Sequence, residues 1–125
     1  MTLEHKVRLF KSLSDETRLR ILNLLIEREC CVCEVMQALD ISQTRASRNL
    51  SQLYNAGLLI LRKEGLWSLY SVDRGKVEPF TADILGVLKE YSKENQILAE
   101  DRQNLNKAVR VGPANTCHPD CCKPE

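Results

Sequence analysis

Apolar positions divide the chain into a helical first half, a short alternating stretch and a second helical region. Leu3, Val7, Phe10 and Leu13 recur at three- and four-residue spacing with charges between them, which predicts a helix from Leu3 to about Ser12. Ser14-Asp15-Glu16-Thr17 then reads as a helix start, with acids in the first turn, where they complement the helix dipole. Leu19, Ile21, Leu22, Leu24, Leu25 and Ile26 are dense enough that much of the next helix must be buried. A third helix is expected from near Cys31 to Leu39, with Val32, Val35, Met36 and Leu39 apolar. Asp40-Ile41-Ser42 is a tight connection, and Ser42 is the expected N-cap of a helix from about Gln43 to Asn55. Ala46, Leu50, Leu53 and Tyr54 make its apolar face; Thr44, Arg45, Ser47, Arg48 and Ser51 lie opposite. Asn55-Ala56-Gly57 supplies the stop.

The periodicity then changes. The runs 58–63 and 66–72 read as two strands around Glu64-Gly65, a β-hairpin. A last helix is expected from about Val77 to Ala99 or beyond, with the stripe Val77, Phe80, Ile84, Val87, Leu88 and Tyr91. Beyond Gly112 the chain is short of large apolar residues and holds Pro113, Pro119 and Pro124, so a flexible tail is expected. The expected division is a folded domain over 1–100 and a cysteine-rich tail over 101–125.

Helix, short turn, polar-faced helix and basic hairpin follow one another in the order of a winged helix-turn-helix, mainly α with a small β wing (α+β). A helix fits the major groove of DNA, where its side chains must reach base edges and phosphates. Ser42, Gln43, Thr44, Arg45, Ser47 and Arg48 offer short donors, an amide and guanidinium forks at the front of such a helix, and Arg62 and Lys63 flank the hairpin tip. A net charge of +1 says nothing about nucleic acid, but its distribution does: Ile41 to Lys63 holds four basic residues and no acidic one. That leaves a locally positive face on a mildly acidic body.

With 125 residues, 43% of them hydrophobic, the chain suits one packed domain, and cores of that size are often extended by a dimer interface. No apolar run nears the roughly 18 residues that span a bilayer. Met1-Thr2-Leu3-Glu4-His5-Lys6 lacks the basic start and apolar block of a signal peptide. The expected location is the cytoplasm, with no membrane partner. In a reducing compartment clustered thiols point to metal binding or redox chemistry rather than structural disulfides. The six cysteines form two clusters, Cys30, Cys31 and Cys33, then Cys117, Cys121 and Cys122 beside His118.

From Leu13 to Val72 the chain resembles the ArsR/SmtB family of metal-responsive repressors. The resemblance rests on residues 13–22, on Glu29-Cys-Cys-Val-Cys-Glu34, on residues 42–53, on Ala56-Gly57-Leu58-Leu59, on Arg62-Lys63-Glu-Gly-Leu-Trp67 and on Tyr70. It implies a homodimer on an imperfectly palindromic double-stranded operator, with the first and last helices at the interface, repressing when empty and released when loaded. Cys31-Val32-Cys33 resembles the sensor motif of the As(III)/Sb(III) branch and of the cadmium/lead branch. The implied inducer is As(III) or Sb(III), with Cd(II), Pb(II) or Bi(III) as alternatives and no organic cofactor. In the arsenic branch a third cysteine follows three residues after the second; here that position is Met36, so the third ligand stays open. The tail thiols could supply it, form their own site, or pass metalloid on. Histidine is confined to His5 and His118, so the histidine-rich interfacial zinc site of other branches is not expected.

On a regular helix, at about 100° per residue, Cys31 and Cys33 sit about 200° apart while Cys30 and Cys33 share a face. Closing three such thiols on one ion would deform the helix start. Cys30 and Cys33 also form a C-x-x-C, but thiol oxidoreductases need that motif after a strand in a βαβ setting, and no strand is expected here. An enzyme is therefore not expected, whereas a repressor that senses redox state through a disulfide stays open. A structural zinc would want four ligands and only three cysteines are local.

Overall fold

A computed structural model describes residues 2–109. The elements are α1 (Leu3–Leu13), α2 (Glu16–Glu27), β1 (Cys30–Cys31), α3 (Val32–Leu39), α4 (Gln43–Asn55), β2 (Ile60–Glu64), β3 (Trp67–Ser71), α5 (Pro79–Ser92) and α6 (Gln96–Lys107). Helices wrap one core of Leu9, Ile21, Leu22, Leu24, Leu25, Val35, Leu50, Leu53, Leu58 and Leu85, all essentially without solvent contact. The strands form an antiparallel sheet in the order β1-β3-β2. The fold is a winged helix-turn-helix, as the sequence pattern implies: α3 and α4 are the helix pair, and β2 and β3 are the wing.

Local chemistry explains most of the boundaries. Asp15, rather than Ser14, caps α2 by accepting from the Arg18 N–H at 3.0 Å, while the Ser14 hydroxyl closes α1 by donating to the Phe10 carbonyl. Between α3 and α4 the chain turns on Asp40, a left-handed residue at φ 55°, a conformation its short polar side chain tolerates. Ser42 Oγ then accepts from the Arg45 N–H at 3.1 Å and starts α4 as expected. At the other end Gly57, at φ 83°, lets the Leu58 and Gly57 N–H groups return to the Leu53 and Tyr54 carbonyls. That pair of bonds is a Schellman motif. The hairpin turns on Gly65, at φ 62°, with Glu64 paired to Trp67.

Three expectations need correction. A two-residue strand, Cys30–Cys31, precedes α3, which starts at Val32. It runs antiparallel to β3, so the C-x-x-C still lies in no parallel βαβ unit. Tyr54 is exposed, so α4 buries Ala46, Asn49, Leu50 and Leu53 instead. The expected single last helix is two, because Asn95 adopts an extended backbone and its side chain accepts from the Leu98 N–H at 3.1 Å, capping a new helix.

The new helix, α6, folds back on α2 and α3. Arg20 grips Asp101 with two bonds of 2.9 and 2.8 Å, and Asn23 donates to the Leu98 carbonyl while accepting from Arg102. Asn104 donates to the Ala38 carbonyl at the end of α3. Helix α6 thus continues through Lys107, across the 100/101 boundary. The expected flexible tail lies outside the described residues. No helix among the described residues is long and apolar enough to cross a membrane.

Candidate nucleic-acid interface and thiol site

Packing Ala46, Leu50 and Leu53 inward turns the opposite side of α4 to solvent. Ser42, Thr44, Arg45 and Arg48 are exposed there, with Gln43 and Ser47 half-buried and joined by a 3.3 Å hydrogen bond one turn apart. Arg45 is not loose: its Nη2 donates to Thr17 Oγ1 at 3.0 Å, which steers the guanidinium along the start of α2. Beneath it Asn49 Nδ2 donates to the Arg45 carbonyl. Arg18 ties the helix to its neighbours, donating to the Ser12 carbonyl, Asn49 Oδ1 and Gln52 Oε1. These supports were not legible as such, because residues 28 to 34 positions apart had to be brought together first.

On the wing, Lys63 Nζ donates to Ser68 Oγ across the hairpin at 2.7 Å. Arg62 makes a bidentate pair with Glu29 at 2.7 and 2.8 Å and a further contact with Glu64 at 3.1 Å. The hydrogen bond to Glu29 raises the Arg62 pKa further, so the guanidinium is charged throughout the working range.

The first thiol cluster is arranged differently from a helical wheel. Successive side chains of a strand point to opposite faces. Cys30 accordingly enters the main core, while Cys31 joins Cys33, Leu69, Met36 and Trp67 in a second, smaller cluster. Cys31 and Cys33 therefore share one environment without any unwinding, and Cys30 and Cys33 do not share a face. The difference arises because Cys31 is not inside α3 but is its N-cap, with extended φ −89° and ψ 171°. All three side chains are almost wholly buried, at 0%, 1% and 0% exposure for Cys30, Cys31 and Cys33. Cys31 carries a free thiol.

Glu34 holds this turn together and went unnoticed in the sequence. Its Oε1 accepts from the Cys31 N–H at 3.0 Å, and the Glu34 N–H returns to the Cys31 sulfur. This is a capping box with cysteine where serine or threonine is usual, so the three-residue spacing to Glu34 was the available signal. Oε2 meets Arg28 Nη1 at 2.6 Å, and Arg28 Nη2 donates in turn to the Leu105 carbonyl near the end of α6. Burial pushes the Cys31 thiol pKa up, and the nearby Glu34 carboxylate adds to that, while backbone N–H groups oppose it. Among the described residues no group of three His, Cys, Asp or Glu side chains is placed to hold a metal ion. Cys117, Cys121 and Cys122 lie outside the described residues.

Comparison with known proteins agrees with this anatomy. Residues 15–61, from the start of α2 into β2, match the family described as bacterial regulatory protein, arsR family. The chain is 52% identical over 65 residues to the arsenical resistance operon repressor of Escherichia coli (strain K12), covering 51% of this chain and 56% of that one. It is 31% identical over 77 residues to the arsenical resistance operon repressor of Bacillus subtilis (strain 168), covering 61% and 73%. Among solved structures, the homodimeric winged helix-turn-helix DNA-binding domain Mb0332 of Mycobacterium bovis superimposes with a TM-score of 0.62 at 29% identity, over 75% of this chain and 83% of that one. The chain spans about half the length of the more identical arsenical-resistance relatives. A polar-faced helix braced on a shared core, a hairpin wing, and matches of this extent together place the chain in the arsR family of bacterial regulatory proteins.

Proposed function

We propose that the chain is a cytoplasmic transcriptional repressor that binds a double-stranded, imperfectly palindromic operator as a homodimer and is released when As(III) or Sb(III) binds its cysteine thiolates. The observation that carries this reading is the meeting of Cys31 and Cys33 in one buried cluster at the N-cap of α3, the helix joined by a two-residue turn to the reading helix α4. In this reading Ser42, Gln43, Thr44, Arg45, Ser47 and Arg48 enter the major groove, and Arg62 and Lys63 approach the backbone.

The donor set suits the inducer. Thiolates are soft ligands and select soft ions. Arsenous acid exchanges hydroxyls for cysteine sulfurs, each thiol proton leaving with a hydroxyl as one water while an As–S bond replaces the As–O bond. The Cys31 sulfur also caps α3, so ligation withdraws the cap from the Glu34 N–H and loosens the first turn of the helix beside α4. The third sulfur is assigned to the tail cluster of Cys117, Cys121 and Cys122 rather than to Cys30, which faces the main core. Gln37 supports this assignment. One turn after Cys33, it clasps the Val109 backbone through two bonds of 3.0 Å and also donates to the Cys33 carbonyl. Cys117 follows eight residues later, an extended reach of about 27 Å.

Exposed apolar side chains on α1 (Leu3, Val7 and Phe10) and on α5 (Val87 and Tyr91) form the face assigned to the second subunit. Phe80 and Ile84 are half-buried, and Phe80 meets Phe10 edge-on at 5.9 Å.

The meeting of Cys31 and Cys33 in one buried cluster also favours one second reading, a repressor governed by thiol oxidation. Both readings are tested on a duplex selected from a random pool by the protein itself. Release by arsenite under reducing conditions supports metalloid sensing. Release by diamide with none by arsenite supports the redox reading, and cadmium in a parallel titration ranks the metals. Failure to select any duplex would overturn both.

A further inference from the structure

The wing presents Arg62 for DNA and at the same time binds it to an acid. Glu29 takes both Nε and Nη2 of Arg62, at 2.7 and 2.8 Å, and Glu64 takes Nη2 again at 3.1 Å. Glu29 takes the Nε/Nη2 edge of the guanidinium and Glu64 shares Nη2, so a DNA phosphate can bind Arg62 in bidentate fashion only by displacing one of them. The partners come from different parts of the fold. Arg62 and Glu64 are on β2, whereas Glu29 directly precedes β1, the strand of Cys30 and Cys31. The sheet joins them, because Cys31 pairs with Leu69 and Leu69 pairs with Arg62 in one row across all three strands.

We propose that Glu29 is an intramolecular competitor with DNA phosphate for Arg62, and that the strand carrying Cys31 sets how firmly it holds. This deepens the repressor reading and rests on it. Bidentate carboxylate and phosphate contacts use the same kind of guanidinium edge, so at the Nε/Nη2 edge that Glu29 holds the two acceptors exclude one another. The pair is solvent-exposed, with side-chain exposures of 52% for Arg62 and 25% for Glu29, so its grip is of the size a phosphate can overcome. Loading the thiols shifts β1, Glu29 moves with it, and the clamp closes while the wing leaves DNA.

The test uses the full chain, with Glu29→Gln, Arg62→Ala and the double variant, by fluorescence anisotropy against salt, first on a mixed-sequence duplex. Phosphate contacts are independent of sequence, so this probe suffices for the competition. Glu29→Gln should bind about two- to fivefold more tightly, consistent with an exposed ion pair. Its log affinity against log salt should steepen by about 0.9, one phosphate gained. In the Arg62→Ala background the same change should do nothing. On the selected duplex, arsenite should release Glu29→Gln by a smaller factor than wild type. Unchanged or weaker binding by Glu29→Gln, a gain that survives in Arg62→Ala, or wild-type release by arsenite would each overturn the inference. A wild-type chain that binds no duplex would instead overturn the repressor reading.

Discussion

Helix α4 and the turn from β1 into α3 are neighbours in the chain and make opposite use of solvent. The outer side of α4 keeps Thr44, Arg45 and Arg48 in water, and only its underside is buried. The thiol turn hides nearly everything that defines it, Glu34 included, which is 2% exposed. A DNA contact at α4 therefore needs no rearrangement, whereas any ligand for Cys31 and Cys33 must first open the packing around Leu69, Met36 and Trp67. The difference is what a switch requires: an effector alters DNA affinity only through unequal binding to two states. A site that is closed in one state and liganded in the other meets that condition.

The comparison breaks most completely where the two regions share support. Leu50 is fully buried beneath α4 in the common core, and Leu50→Ala should cost about 2–5 kcal/mol and degrade both regions together. Thermal melts and DNA binding would check this, and an unchanged melt would mean that α4 is not seated as described. A smaller effect is expected at the thiol turn. Glu34→Ala leaves the Cys31 N–H without its acceptor and Arg28 without its carboxylate, and should cost about 1–3 kcal/mol, since Arg28 keeps the Glu29 and Leu105 carbonyls and some solvent. Glu34→Gln keeps an acceptor for the N–H and should lose less in urea unfolding.

Titration sharpens the contrast further. Burial raises the Cys31 pKa above its ordinary 9.0, so the folded state favours the neutral thiol. The stability this contributes is complete below pH 9.0 and is lost as pH rises through the raised value. Unfolding free energy should fall more steeply in that range for the parent than for Cys31→Ser, and parallel curves would contradict the burial argument. The smallest stability change belongs to Arg48→Ala on the exposed side of α4, within about 0.5 kcal/mol. It should nevertheless weaken DNA binding, and the salt slope should shrink by about 0.9 if the lost contact is to phosphate.

The two regions also differed in how far the sequence disclosed them. The α4 face was legible because the spacing of Ala46, Leu50 and Leu53 and the Ser42 cap are local signals that burial then obeys. The hairpin was legible for the same reason, from alternation around Glu64-Gly65. The thiol turn was not. A two-residue strand has no periodicity to detect, and β1 exists because β3, nearly forty residues on, pairs with it. Treating Cys31 as helical put Cys30 beside Cys33, and one residue of extended backbone reverses that arrangement. The break at Asn95 was missed because apolar spacing continues across it through Ile97 and Leu98, and only the cap interrupts it. The clamps on Arg45 by Thr17 and on Arg62 by Glu29 are tertiary and leave no local trace.

The central claim is that buried thiols, not the reading face, decide whether DNA is held. Cys31→Ser and Cys33→Ser test it, because serine is close to cysteine in size, is itself a good helix cap, and is a hard ligand that does not ionise near neutral pH. Operator binding by fluorescence anisotropy, with and without arsenite under reducing conditions, is the measurement. Both variants should bind DNA like the parent and fail to respond, whereas the parent loses about 150-fold in affinity for a coupling of about 3 kcal/mol. Release of either variant by arsenite with the parent's response would place the sensor elsewhere, and loss of DNA binding without arsenite would make these thiols structural.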